Sequence, residues 1–166
     1  MDNFRQTSEH VSDIKATIAW ARRELKLPVW LIGTSRGTQS VAYAATQLPL
    51  AEGGPDGIVL TSSILFDRRS RPVPSMALDH INVPVLVAHH RLDSCRACQF
   101  SDLPNLTRKL SASVMSVMKT PEVRNRLEQF GYDPIGNSAA EFAATLRADI
   151  DKFAHVIKAA GIKADL

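Results

Sequence analysis

One stretch, Val29-Trp30-Leu31-Ile32-Gly33-Thr34-Ser35-Arg36-Gly37, constrains what this chain can fold into more than any other. Four apolar residues, Val29 and Ile32 β-branched, run into Gly-x-Ser-x-Gly, and helix-compatible residues follow from Thr38 to Leu48. Strand, tight serine turn and helix together form the setting of a nucleophile elbow. Such a turn leaves room only for small neighbours, so Gly33 and Gly37 are both expected to be steric necessities. Ser35 is expected in a strained backbone conformation, its hydroxyl thrust out at the carboxyl end of a sheet.

At 166 residues the chain can hold one domain, or one small domain with an appendage. The net charge of +3 is small and the basic residues are interspersed with acids. The one basic run, Arg68-Arg69-Ser70-Arg71, lies in a proline-containing loop without aromatics and reads as solvated surface, not a nucleic-acid interface. No apolar run is long enough to span a membrane, so no membrane insertion is expected. The first ten residues lack a basic region followed by an apolar core. That predicts no signal peptide and a cytoplasmic location.

From the amino terminus, Thr7 to Leu27 reads as an amphipathic helix, with Val11, Ile14, Ile18, Ala21 and Leu25 at helical spacing. Pro28 closes it and the elbow strand begins. A turn over Glu52 to Gly57 leads to a short buried strand, Gly57 to Ser63. A third strand, Val83 to His89, is continuously apolar, as a parallel strand covered on both faces should be. Strands separated by helical segments predict an α/β layer arrangement.

Asp93 follows the third strand, in His89-His90-Arg91-Leu92-Asp93-Ser94-Cys95. Gly-Thr-Ser-Arg-Gly-Thr-Gln-Ser, the Gly57–Ser63 strand and Val-Pro-Val-Leu-Val-Ala-His-His-x-x-Asp together resemble the middle of a bacterial α/β-hydrolase of the dienelactone-hydrolase-like kind. The resemblance covers residues 1–105 and implies a truncated hydrolase-type parallel sheet of about three strands. It implies a serine ester or amide hydrolase with Ser35 as nucleophile, Asp93 as catalytic acid and the Arg36 backbone N–H as oxyanion donor. The substrate would be a small-molecule ester or amide, with no cofactor.

The same resemblance implies missing parts. Four strands ordinarily precede the first helix, and one of their loops supplies a second oxyanion donor, worth on the order of 10²–10³ in turnover. Loss of the strand beside the elbow strand leaves an apolar edge open to self-association. The family's base follows the acid, and the only histidine beyond Asp93 is His155, in a helix of different character. His155 is thus the candidate base, although a helix histidine without a catalytic role is the plainer reading. Cys95-Arg96-Ala97-Cys98 is the only cysteine pair. Redox chemistry, a metal site with His89 or His90, and a plain loop dithiol or local disulfide all remain open for it. The histidine–cysteine spacing matches no standard zinc module, and no metal is expected.

The character changes near Leu106. Leu106 to Lys119 reads as a helix, with Leu106, Leu110, Val114, Val117 and Met118 near one face. Thr120-Pro121-Glu122 starts another, which Gly131 ends. Tyr132 to Gly136 is a short extended link. Ser138-Ala139-Ala140-Glu141 is a capping box opening a last helix whose stripe is Phe142, Leu146, Ile150, Phe153 and Ile157. Lys-Thr-Pro-Glu-Val-Arg-Asn-Arg-Leu, Gly-Tyr-Asp-Pro-Ile-Gly-Asn-Ser, Glu-Phe-Ala-Ala and Val-Ile-Lys-Ala-Ala-Gly-Ile-Lys resemble the C-terminal end of the solute receptors of tripartite tricarboxylate transporters, the Bug family. Those receptors are periplasmic, and their ligand-gripping loops lie upstream of this tail, so no binding residue carries over. The expected organisation is a partial hydrolase-like domain, 1–105, and a helical receptor-like segment, 106–166. A solute-receptor fragment and a gene-fusion remnant without activity stand as the alternatives to a weak or inactive hydrolase.

Overall fold

The computed structural model describes residues 4–133 and 135–162, without the side chains of Val117 and Glu122. It is a mixed α/β chain. Helix α1, Ser8–Leu25, opens on Thr7, whose hydroxyl accepts the His10 N–H at 3.2 Å. It closes two residues before the predicted end, because Lys26 turns left-handed (φ 54°) and donates its N–H to the Arg22 carbonyl at 2.9 Å. Strand β1, Trp30–Thr34, then leads into α2, Gly37–Gln47, followed by β2, Gly57–Thr61, and β3, Val85–Ala88. Three helices complete the chain: α3, Leu103–Met118; α4, Pro121–Gln129; and α5, Ala139–Ala159.

The three strands form one parallel sheet in the order β1-β2-β3. Leu31, Ile58 and Val85 are register partners, and so are Gly33, Leu60 and Val87. This face meets α2 and carries the core, where Ile58 and Leu60 pack with Val41, Ala42 and Ala45 of α2 and with Val73, Met76 and Leu78 of the long β2–β3 connection. Arg22 and Asp56 fasten the end of α1 to the β2 entry, with an ion pair of 2.6 Å, while the same carboxylate accepts the Val29 N–H at 2.7 Å.

The opposite face is uncovered. Ile32, Val59 and Leu86 are register partners across it, and Ile32 is 69% and Leu86 57% exposed. The expectation that the third strand is covered on both sides is therefore corrected: β3 alternates half-buried and exposed residues and is covered on one face. Its continuous hydrophobicity suits a second layer that no described element of the chain's first 113 residues supplies.

The chain divides into two compact units, Met1–Ser113 and Val114–Leu166. Helix α3 starts three residues before the predicted Leu106, and Leu106, placed with the tail from sequence, is fully buried in the first unit's core. In the second unit, Gly131 takes φ 79° just after α4, as the helix end there requires. The capping box is formed: Ser138 accepts the Glu141 N–H while the Glu141 carboxylate accepts the Ser138 N–H at 2.7 Å. The stripe Phe142, Leu146, Ile150, Phe153 and Ile157 is exposed along its whole length. Among the described residues, no helix is long and apolar enough to cross a membrane.

Candidate functional site

Three strand ends deliver the polar residues. Ser35, directly after β1, adopts φ 51°, the left-handed region that side-chain-bearing residues avoid. Its N–H donates to the Thr61 carbonyl at 3.0 Å, and its own carbonyl accepts both the N–H (3.0 Å) and the hydroxyl (2.6 Å) of Thr38. The strain is thus fixed by bonds on both sides of the residue. A Cβ on Gly33 would lie 2.6 Å from the Gly37 carbonyl oxygen, so only glycine allows the strand to pass beneath the helix start. Gly37 is different. Among the described residues a Cβ there would meet nothing within 4 Å, and its φ is not positive. The expectation that both glycines are steric necessities holds for Gly33 and is corrected for Gly37.

Arg36, the N-cap of α2, holds Asp67 with its guanidinium at 3.1 Å. Asp67 also accepts from the Ser70 hydroxyl at 2.6 Å and the Arg69 N–H at 2.9 Å, and Gln39 of α2 donates to Ser70 (2.7 Å) and to the Arg71 carbonyl (2.9 Å). The Ser70 hydroxyl first, then the Arg69 N–H and Arg36, hold the Asp67 carboxyl below its usual range. The basic run is therefore solvated in Arg68, Arg69 and Arg71, all exposed, but Ser70 ties the loop to the elbow helix. Sequence reasoning missed this network, whose partners lie about thirty positions apart.

Beyond β2, Ser62 is again left-handed, at φ 43°. Beyond β3, the Asp93 carboxylate accepts the Cys95 N–H at 2.9 Å. The Cys95 N–H first, then the Ser62 side chain and the nearby His89 and His90, lower the Asp93 pKa, so the group remains an anion near neutrality. After β3, Nε2 of His89 accepts the Ser63 N–H at 2.7 Å. That bond places the proton of the neutral ring on Nδ1. Burial pushes the His89 pKa below its ordinary value, against the pull of Asp93. Nδ1 of His89 and Oγ of Ser63 are buried without a hydrogen-bond partner among the described residues.

Ser35 follows β1 and Asp93 lies beyond β3, the two outer strands of the sheet, with β2 between them. The Ser35 hydroxyl lies near the thiol of Cys98, which is 2.6 Å from that of Cys95. Burial, then the neighbouring Cys95, pushes the Cys98 thiol up to about 12. A thiol so reluctant to ionise is a poor partner for taking the Ser35 proton at neutral pH. Among the described residues of the first unit, no imidazole is hydrogen-bonded to Ser35. His155 lies exposed on α5, in the second unit. Among the described residues no group of three His, Cys, Asp or Glu side chains is arranged to hold a metal.

Compared with known proteins, the chain matches no family model, no curated protein and no solved structure.

Proposed function

We propose that the first unit is a serine ester or amide hydrolase of the α/β type, with Ser35 as nucleophile and Asp93 as acid, and that its turnover is low. The observation that carries this reading is the left-handed Ser35 at a strand–helix junction where Gly33 alone fits beneath the helix start. Ser35 Oγ would attack the carbonyl carbon of an ester, the Arg36 N–H would receive the developing oxyanion, and the alcohol would leave an acyl-serine for water to cleave. The Cys98 thiol beside Ser35 supplies no base at neutral pH, which argues for slow acylation. His155 is the one histidine that follows Asp93 in the chain, and no catalytic role is proposed for it.

Hydrolysis of p-nitrophenyl acetate by the full chain tests the proposal. The expected result is a slow rate that Ser35→Ala removes and His155→Ala leaves within about twofold, since base catalysis by a positioned histidine is worth about 10²–10⁴. Equal rates in wild type and Ser35→Ala would refute it.

The alternative, a fragment of a tripartite tricarboxylate transporter solute receptor, applies to the second unit. It is supported by the uncovered α5 stripe, as expected of a helix whose usual packing partners are elsewhere. Heat of binding on titrating small di- and tricarboxylates into the full chain would favour it, and its absence would count against it.

A further inference from the structure

The turn that contacts the elbow serine is built as a thiol pair. Cys98 donates its N–H to the Cys95 carbonyl at 3.0 Å, closing a four-residue turn that brings the two sulfurs to 2.6 Å. The turn is held from both sides. The Ala97 carbonyl accepts the Leu65 N–H at 2.7 Å and the Phe66 N–H at 3.2 Å, and Asp93 accepts the Cys95 N–H at 2.9 Å. No backbone movement is needed to bring the sulfurs into reach of each other, which is the usual obstacle to a disulfide. The two thiols are unequal: Cys98 is fully buried, whereas Cys95 is half-buried.

We propose that Cys95 and Cys98 form a redox-active pair, in which Cys95 reacts with a small-molecule disulfide and Cys98 resolves it into a local disulfide beside Ser35. In the first step the Cys95 thiolate, its proton released to solvent, attacks one sulfur of the small disulfide. A mixed disulfide forms and one small thiolate leaves, taking a proton from water. In the second step the Cys98 thiol gives its proton to solvent and its sulfur attacks the Cys95 sulfur. The Cys95–Cys98 bond forms, the mixed disulfide bond breaks, and the second small thiolate departs, taking a proton from water. Two protein thiols are oxidised and one small disulfide is reduced to two thiols. Geometry suits Cys98 to the resolving role, because its sulfur already lies 2.6 Å from that of Cys95 and needs no free encounter.

The test uses the full chain and oxidised glutathione, followed by denaturation, alkylation with iodoacetamide and intact mass. Reduced wild type is expected to take up two alkyl groups. After exposure to oxidised glutathione it should take up none and carry no glutathione. Cys98→Ser should trap one glutathione on Cys95, and Cys95→Ser should acquire glutathione at least tenfold more slowly than Cys98→Ser. Wild type that still alkylates twice, or retains glutathione, overturns the proposal. So does Cys95→Ser reacting as fast as Cys98→Ser. The readout counts thiols and does not involve the reactivity of Ser35, so the pair stands or falls separately from the hydrolase reading.

Discussion

Helices α2 and α5 are both amphipathic, yet they end in opposite conditions. Over eleven residues α2 buries seven, including Thr38 and Gln39, because a sheet face lies against it. Over twenty-one residues α5 buries none, despite a better-formed apolar stripe and a complete capping box. Local pattern builds the helix in each case. Only a partner surface turns the pattern into stability, since burial of apolar area, more than propensity, supplies most of a helix's stabilisation. The sheet repeats the contrast within one layer: its Leu60 face is buried and its Ile32 face is bare.

The largest test of this contrast is Leu60→Ala. Leu60 is fully buried in the core cluster, and its truncation is expected to cost about 2–5 kcal/mol. Both tryptophans, Trp20 and Trp30, lie in the first unit, so the midpoint of a urea melt followed by their fluorescence reads that unit. Ile32→Ala, on the bare face, should move the same midpoint far less. Equal shifts would mean that both faces are covered.

Next in size is the glycine pair. Gly33→Ala drives a Cβ into backbone and is expected to cost about 2–3 kcal/mol, the upper range for overpacking. Gly37→Ala should fall within about 0.5 kcal/mol of wild type, or stabilise, because alanine is the better helix former. Comparable losses at both positions would restore the reading in which each glycine is indispensable.

The pH dependence is smaller. His89 has a lower pKa folded than its ordinary value of 6.5, so the unfolded chain binds the proton more readily. Its contribution is present above pH 6.5 and is lost as the pH falls through the lower folded value. His89→Gln, whose amide oxygen can still accept the Ser63 N–H, should flatten the fluorescence-monitored stability curve just below that pH. An unchanged slope would mean that the ring titrates as it does in water. The smallest effect is expected at Phe153→Ala, on the exposed stripe of α5: less than about 0.5 kcal/mol by circular dichroism. A loss as large as that of Leu60→Ala would show the stripe to be covered in solution.

What the sequence made legible was local. The Ser138–Glu141 box, the Gly131 stop and the strand–serine–helix turn each depend on residues within a few positions of one another, whereas Thr7, read as the first helical residue, is the cap outside it. Strand ends were less legible. β2 stops at Thr61, two residues short of Ser63, because Ser62 turns left-handed. Illegible were the contacts made across the sheet's end: Cys98 against Ser35, His89 against Ser63, and Arg36 and Gln39 against the Asp67 loop. Those pairs are twenty-six or more positions apart, and nothing in residue type or spacing announces them. The bare sheet face was hidden for the same reason, since an apolar run records a preference for cover and not its presence.

The most direct test of the central claim is prolonged treatment of the folded, full-length chain with a fluorophosphonate, with the adduct located by peptide mass mapping. The account predicts a single adduct on Ser35, slow to form and absent from Ser35→Ala. No adduct on folded protein, or one spread over other serines, would contradict it and leave the elbow a feature of architecture alone.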